Sequence, residues 1–385
     1  MTLWILNRLQ KTPIAWRNLF HVQARLLVAT GGIGFATMLI FMQLGFFGAV
    51  LKTATLVYDH LNFDLLIIPR KAVDATVTQT FERRRLYQVG GGEGVDSVKP
   101  FYVAFKQWRN PRTKLTRAIL VMGFNPKDDV FLIPEIPDNL SIVQRQDTVL
   151  FDRLSRSEFG ASPIGLKTEL GGRRQTLGGM FTMGPSLRFD GAVIVSDQNF
   201  IRIFDGRSVN DVSLGLIKLK PGADIKVVQA QLRQTLPGNL EVLTRREAEA
   251  RDQKYWVTST SVGYIFGIGA VMGFIVGTVI VYQILYTDVS DHLLEYATLK
   301  AIGYSNFKLS LIILQQAALL AIFAYIPSFF VALGLYKITF IATNLPIQMT
   351  VSRTILVLFV TFVMCISSGL ISLRKVIEAT PGDLF

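Results

Sequence analysis

The chain has 385 residues, half of them hydrophobic, with only 18% charged and a formal net charge of +12. That balance excludes an ordinary water-soluble protein, because such proteins average about 25% charged residues. The single cysteine, Cys365, excludes an intrachain disulfide.

Residues 1–25 predict a basic amphipathic helix. Thr12 suits the N-cap and Pro13 the first helical position, and Trp16 and Phe20 then share one face. The stretch holds four basic residues and no acid, so the positive-inside bias places the N-terminus in the cytoplasm. Two interpretations stay open: a helix that anchors to the inner membrane surface, or one that also contacts a cytoplasmic partner.

Four apolar runs are long enough to cross a membrane, which takes about 20 mostly apolar residues. The first run is too long for the core of a signal peptide and starts only after residue 25, so we expect a span. The predicted transmembrane helices cover residues 26–51, 257–286, 309–335 and 354–373.

The spans divide the rest of the chain between the two sides of the inner (plasma) membrane. A large domain at 52–256 and a short loop at 336–353 are expected outside. The segment 287–308 and the tail 374–385 are expected in the cytoplasm, like the N-terminus. The predicted fold is therefore four transmembrane α-helices plus an N-terminal amphipathic helix, with a large extracytoplasmic α/β domain inserted between the first and second spans.

The outer domain alternates strand-like and helix-like stretches. Strands are predicted near 63–69, 117–124 and 189–197, and a helix at 225–236 follows the turn "KPGAD". The three histidines show no metal-ligand spacing, and "GGGEG" at 90–94 fits neither a dinucleotide fingerprint nor a P-loop. We therefore expect no catalytic site, no metal and no cofactor, and a domain that binds or transmits motion.

Small residues recur along the second span. Gly269, Gly273 and Gly277 are four residues apart and share one helix face, which favours close helix packing. Packing within the chain's own bundle and packing at a subunit interface both stay open. No ionisable residue lies deep in a span, which disfavours a transporter driven by a proton relay.

The stretch "HLLEYATLKAIGYSNFKLSL" between the second and third spans predicts a short helix at the inner membrane surface. Asp288, Asp291 and Glu295 come early and Lys300 late, as the helix dipole favours. Apolar positions can line a side that faces the membrane or a partner: Leu294, Ala297, Leu299 and Ile302. Gly303 is expected to end the helix in the left-handed conformation.

The segment "LLEYATLKAIGYS" resembles the signature that precedes the third span in MacB/FtsX-like permeases, the type VII ABC transporters. The matching residues are Glu295, Leu299, Lys300, Ala301, Ile302 and Gly303. The order of segments and the tail "EATPGDLF" are similar too, and "EYATLKAIGYS" with "ATPGDLF" is most similar to the DevC family of heterocyst-type glycolipid exporters. Many members place an Arg shortly before the Glu, where this chain has Asp291 and His292.

The resemblance implies a permease subunit that acts as a homodimer. It also implies a separate, DevA-like ABC ATPase, since this chain has no Walker motif. It further implies a DevB-like periplasmic membrane-fusion adaptor, a TolC-like outer-membrane channel, and a lipid or glycolipid substrate. The short helix would be the coupling helix to which the ATPase binds. Its implied coupling residues are Leu294, Glu295, Tyr296, Leu299, Lys300, Ala301 and Gly303.

Two other functions stay open. One is an FtsX-like regulator that activates a periplasmic partner without moving cargo, although the larger outer domain argues against it. The other is a membrane-anchored receptor or enzyme. An associated ATPase would distinguish the permease and the regulator from a membrane-anchored receptor or enzyme.

Overall fold

The structure is a computed structural model that describes residues 23–160 and 163–378. The predicted N-terminal helix and the end of the tail lie outside these residues. The chain divides into two compact units. The span unit comprises the residues up to Gly48, Tyr264–Thr339 and those from Ile347 onward, and the sheet unit comprises Ala49–Gly263 with Phe340–Pro346.

The described residues form α-helices that we number in chain order. They are α1 Gln23–Ala54, α2 Leu56–Asp59, α3 Arg84–Gly90, α4 Leu140–Val143, α5 Asp197–Ile203, α6 Ile225–Thr235, α7 Arg245–Thr258, α8 Ser261–Asp291, α9 Leu293–Ala301, α10 Asn306–Thr343 and α11 Val351–Glu378. Short 3₁₀ turns lie at Pro137–Asn139 and Ser157–Phe159.

The β-strands all lie between α2 and α7. They are β1 Leu65–Pro69, β2 Phe81–Glu82, β3 Val95–Arg109, β4 Thr116–Phe124, β5 Thr148–Asp152, β6 Lys167–Leu170, β7 Arg173–Phe181, β8 Ala192–Ser196, β9 Asp211–Val212, β10 Leu214–Leu219 and β11 Leu240–Thr244.

Among the described residues, four helices are long and apolar enough to cross a membrane: α1, α8, α10 and α11. The predicted four spans, with an α/β domain between the first and second, are confirmed. The second span helix begins at Ser261, whereas the sequence predicted a start near residue 257. Polar side chains explain the difference, because Thr260 donates its hydroxyl to the Trp256 carbonyl and accepts from the Val262 amide, which separates α7 from α8.

The span helices pack through a shared apolar core and through hydroxyl groups. The core includes Ala29 and Ile33 of α1, Val281 of α8, Ala321 of α10 and Cys365 of α11. Hydroxyls bond across helices: Ser328 donates to the Gly34 carbonyl at 2.9 Å, and Ser368 donates to the Thr278 carbonyl at 2.7 Å. Such bonds supplement dispersion in a membrane, where lipid tails remove most of the hydrophobic driving force between helices.

The sheet unit is built on a nine-stranded mixed sheet in the order β11-β1-β10-β3-β4-β8-β5-β7-β6. Its parallel pairs are β4 with β8 and β5 with β7, and its other pairs are antiparallel. The far end of the long strand β3 also pairs with β6, at Trp108 and Leu170, so the sheet curls back on itself. Alternate side chains feed two buried clusters, one on each face, as Leu66 and Leu65 of β1 illustrate.

The predicted strands near 63–69, 117–124 and 189–197 correspond to β1, β4 and β8, and the predicted helix at 225–236 corresponds to α6. The long strand β3 was missed. Its sequence carries polar residues through its first third and again near its end, so no simple alternation marks it.

Candidate functional site: the helix between the second and third spans

Helix α9 is bounded by two sharp turns. Only His292 separates it from α8. At its other end, Gly303 has φ +103°, its amide donates to the Lys300 carbonyl, and the Tyr304 amide donates to the Leu299 carbonyl, each at 3.0 Å. This pair of bonds is a Schellman motif, which requires a left-handed residue after the helix. The predicted left-handed glycine is confirmed, and it turns the chain into α10.

The buried side of α9 packs against the span helices. Tyr296 is 3% exposed, and it packs with Val289 of α8, Leu309 of α10 and Leu373 of α11, with Leu299 against the edge of the same cluster. The side chain of Tyr296 therefore fixes α9 to its own bundle. It is not presented to a partner in this conformation, which differs from the direct contact that the sequence resemblance implied.

The exposed side of α9 and the turn after it carry large apolar side chains. Leu294 is 54% exposed and Ile302 is 73% exposed, and Phe307 in the first turn of α10 is 78% exposed. Glu295 is exposed and lies beside Leu294. We name these four residues the α9 patch. Phe307 was not singled out from the sequence, although it lies in the segment 287–308 that was predicted between the second and third spans.

A polar contact joins α8, α9 and α10. Asp288 is 7% exposed, its Oδ2 accepts from Gln316 Nε2 at 3.2 Å, and the His292 ring donates from Nδ1 to the Asp288 carbonyl at 2.9 Å. The expectation that Asp288 and Asp291 would begin the short helix is wrong, since both lie in the last turn of α8. Gln316 and His292 offset the unfavourable placement of a carboxylate at a helix C-terminus.

The glycine face of α8 packs against α1 of the same chain. A Cβ added at Gly273 would lie 3.0 Å from Ile40, and one at Gly277 would overlap Ala36 and Met364. A Cβ at Gly269 would overlap Gln43. In this structure the glycines therefore serve close packing inside one chain.

Within the sheet unit, Arg245 joins the chain that follows the first span to the helix that precedes the second. Arg245 is the first residue of α7. Its guanidinium donates to the carbonyls of Tyr58, Leu61 and Phe63, and it lies 4.2 Å from the centre of the Phe63 ring. Arg245 therefore ties the start of α7 to α2 and to the segment between α2 and β1. No local sequence pattern indicates these hydrogen bonds, since the partners lie about 180 positions away.

A second buried contact in the same place involves Asp252 of α7. Its side chain is fully buried, Oδ2 accepts from the Ala75 amide at 3.1 Å, and Oδ1 lies 3.4 Å from Arg251 Nη1. Burial raises the pKa of Asp252 to about 7. Neighbouring Asp74 accepts two bonds from the Arg188 guanidinium, at 2.9 and 2.7 Å.

Within residues 23–160 and 163–378, no group of three His, Cys, Asp or Glu side chains could hold a metal ion. The fold and the bounded helix α9 thus define a multi-pass membrane protein with an anchored surface helix between its second and third spans.

Residues 261–381 match the family model described as "FtsX-like permease C-terminal". This stretch comprises α8 to α11, so the C-terminal membrane part of the chain is similar to FtsX-like permease domains. A comparison with curated proteins gives no match.

Two solved structures are similar to part of the chain. The periplasmic region of MacB from Actinobacillus actinomycetemcomitans is 9% identical, with a TM-score of 0.36 over 49% of this chain and 92% of that one. The extracellular domain of the ABC-type transporter YknZ from Gram-positive bacteria is 19% identical, with a TM-score of 0.32 over 47% of this chain and 99% of that one. TM-scores below 0.5 do not establish a shared fold.

Proposed function

We propose that this chain is the permease subunit of an ABC exporter in the inner membrane. A separate ATPase docks on α9 and drives movement of the outer domain. The observation that carries the proposal is the α9 patch in an FtsX-like permease domain, apolar and exposed although its helix is fixed to the bundle. The sheet domain lies between the first and second spans, and α9 lies between the second and third. If each span crosses the membrane once, the α9 patch and the sheet domain would face opposite sides of it.

The α9 patch suits a protein groove better than open water. Leu294, Ile302 and Phe307 offer apolar anchors, and Glu295 supplies a charge at the edge, as protein interfaces combine an apolar centre with a polar rim. Leu299, Lys300 and Ala301 lie on the same short helix and complete the coupling segment. Gly303 fixes the angle at which its motion enters α10.

The movement that the ATPase drives would pass through α8 and α10, which are connected to the two ends of α9. Tyr296 and Asp288 hold the three helices together, so they move as one element rather than independently. At the other side, Arg245 and Asp252 would carry the displacement into the sheet domain. No cargo channel through the spans is required for this transmission of motion between rigid elements.

The wider assembly follows from the sequence resemblance. We propose a homodimer of this chain with cytoplasmic N- and C-termini, a DevA-like ATPase, a DevB-like periplasmic adaptor and a TolC-like outer-membrane channel. The cargo would be a lipid, glycolipid or similar envelope substrate, and the nearest relatives would be of the DevC type.

Glu295→Arg and Ile302→Asp test the docking surface. The tagged full chain is purified from its own host in detergent, and co-purifying ABC ATPase is identified by mass spectrometry and quantified. Both substitutions should lower ATPase recovery about tenfold, equivalent to about 1.4 kcal/mol, since they place a wrong charge at the rim and a carboxylate at an apolar anchor.

Glu93→Arg is the matched control, because Glu93 is an exposed acid in a loop of the sheet domain. It should leave recovery unchanged. Absence of any ATPase, or equal recovery with all three variants, would contradict the proposal. Adaptor binding to the outer domain, tested in the same eluate, separates an exporter from a regulator without cargo.

A further inference from the structure

A cavity in the sheet unit is lined by several arginine side chains. It has a volume of about 740 Å³ and is lined by Arg112 from the turn between β3 and β4, and by Arg153 and Arg156, which follow β5. We name it the arginine cavity. Phe151 and Met180 form part of its floor.

Two of the three arginines lack an ionic partner among the described residues. Arg156 pairs with Asp190 at 3.0 Å, and Glu158, the acid in the lining, faces Arg117 at 3.7 Å. Arg112 and Arg153 are exposed to the cavity's solvent and make no ion pair with any described side chain. The cavity therefore carries a surplus of positive charge in the fork geometry that binds phosphate or carboxylate groups in pairs.

A membrane-length helix also contributes to the lining. The last turn of α10, which is part of the sheet unit, lines the cavity with Ile341, Ala342 and Thr343. Ile341 is 70% exposed. Asn344 ends α10 with φ +55° and donates from Nδ2 to the Leu154 carbonyl at 3.4 Å, which ties this helix end to the loop that carries Arg153.

We propose that the arginine cavity binds a lipid with an anionic head group. Arg112 and Arg153 would hold the head group, and Ile341 would contact the start of an acyl chain. The combination of a cationic wall with the exposed apolar end of a spanning helix fits an anionic amphiphile, because a free inorganic anion gains nothing from the apolar side. This site does not depend on the proposed ATPase coupling.

The test uses the full chain purified in an uncharged detergent. Binding is titrated with dioctanoyl phosphatidylglycerol, dioctanoyl phosphatidylcholine and inorganic phosphate, which separate an anionic lipid from a zwitterionic one and from a free anion. Phosphatidylglycerol should bind at least about tenfold more tightly than either other probe. The double variant Arg112→Gln/Arg153→Gln should lose that preference.

Two further variants keep the test decisive. Arg112→Lys/Arg153→Lys should retain part of the preference, because it keeps both charges. Lys226→Gln/Arg246→Gln removes two exposed charges of the sheet unit outside the cavity lining and should change nothing. Equal binding of the two lipids, equal binding of inorganic phosphate, or an unchanged preference in the glutamine double variant with an unchanged melting temperature would overturn the proposal.

Discussion

At the scale of single residues, Asp252 is the clearest case of a side chain whose chemistry is set by its surroundings. It is an acid with full burial, one backbone donor and one neighbouring guanidinium. Its pKa of about 7 means that the folded protein favours the protonated form where the unfolded chain, with a value near 3.8, is already ionised.

This shift predicts the pH dependence of stability. The contribution of Asp252 is fully present below pH 3.8 and is lost as the pH rises through about 7, at up to about 1.4 kcal/mol per pH unit. The melting temperature of the full chain in detergent should therefore fall between pH 5 and pH 8. Asp252→Asn should make this decline shallower, since the amide does not titrate.

Asp138→Asn provides the comparison, because Asp138 is an exposed aspartate of the same unit. It should leave the pH profile as in the unchanged chain. A profile for Asp252→Asn that falls as steeply as the original would show that another group causes the decline.

Gly303 acts at the same scale by its backbone alone. A Cβ there would meet no atom within 4 Å, so space is not the constraint. The constraint is φ +103°, which other residues adopt at a cost of about 1–2 kcal/mol. The turn between α9 and α10 therefore needs glycine for conformation, and the angle between these helices depends on it.

At the scale of elements, glycines let the spans α1 and α8 pack closely. The glycine face lets α8 lie directly on Ile40 and Ala36. Without side chains in the way, the backbones gain dispersion contacts along the whole face.

Gly273→Leu should separate α8 from α1. The added side chain would have to displace Ile40 or the α1 backbone, which costs about 1–3 kcal/mol in a well-packed interior. Thermal unfolding of the full chain in detergent should then begin several degrees lower.

Gly267→Leu is the matched control on the same helix, since a Cβ at Gly267 meets no atom within 4 Å. Its unfolding should be unchanged. If Gly273→Leu altered only the oligomeric state and left unfolding in place, the glycine face would belong to a subunit interface instead.

Helix α9 is packed against the span helices on one side and exposed to the proposed protein partner on the other. Its buried side, with Tyr296 and Ala297, holds it to the bundle, and its exposed side offers Leu294 and Glu295. In the proposed mechanism, a force on the exposed side would pass to the spans through the buried side of the same helix.

At the scale of the whole molecule, the proposed mechanism requires α9 and the sheet domain on opposite sides of the membrane. The native Cys365 is fully buried, so labelling of introduced thiols has a low background. Thr298 on α9 and Thr113 in the turn between β3 and β4 are both exposed and suit replacement by cysteine.

A membrane-impermeant maleimide should label Thr113→Cys in cells whose outer membrane is permeabilised, and should label Thr298→Cys only in inverted vesicles. The expected difference between the two preparations is at least about tenfold, because the bilayer excludes the charged reagent. Labelling of Thr298→Cys from the outside would refute the proposed orientation and the docking of an ATPase on α9.

The sequence by itself determined the features that depend on neighbouring residues. Run length and hydropathy located the four spans, alternation located β1, β4 and β8, and one glycine located the turn after α9. These follow from local backbone preference and from the thickness of a bilayer, which act over a few to about 20 residues.

Only the tertiary structure decided which groups meet. The glycine face packs against α1, Asp288 pairs with Gln316, and Arg245 donates to carbonyls about 180 positions away. The arginine cavity is lined by two loops, two strands and a helix end. Tyr296 is buried although the residue before it, Glu295, is exposed. Such contacts depend on how the helices and strands pack in space, and no pattern within a short stretch of sequence encodes that packing.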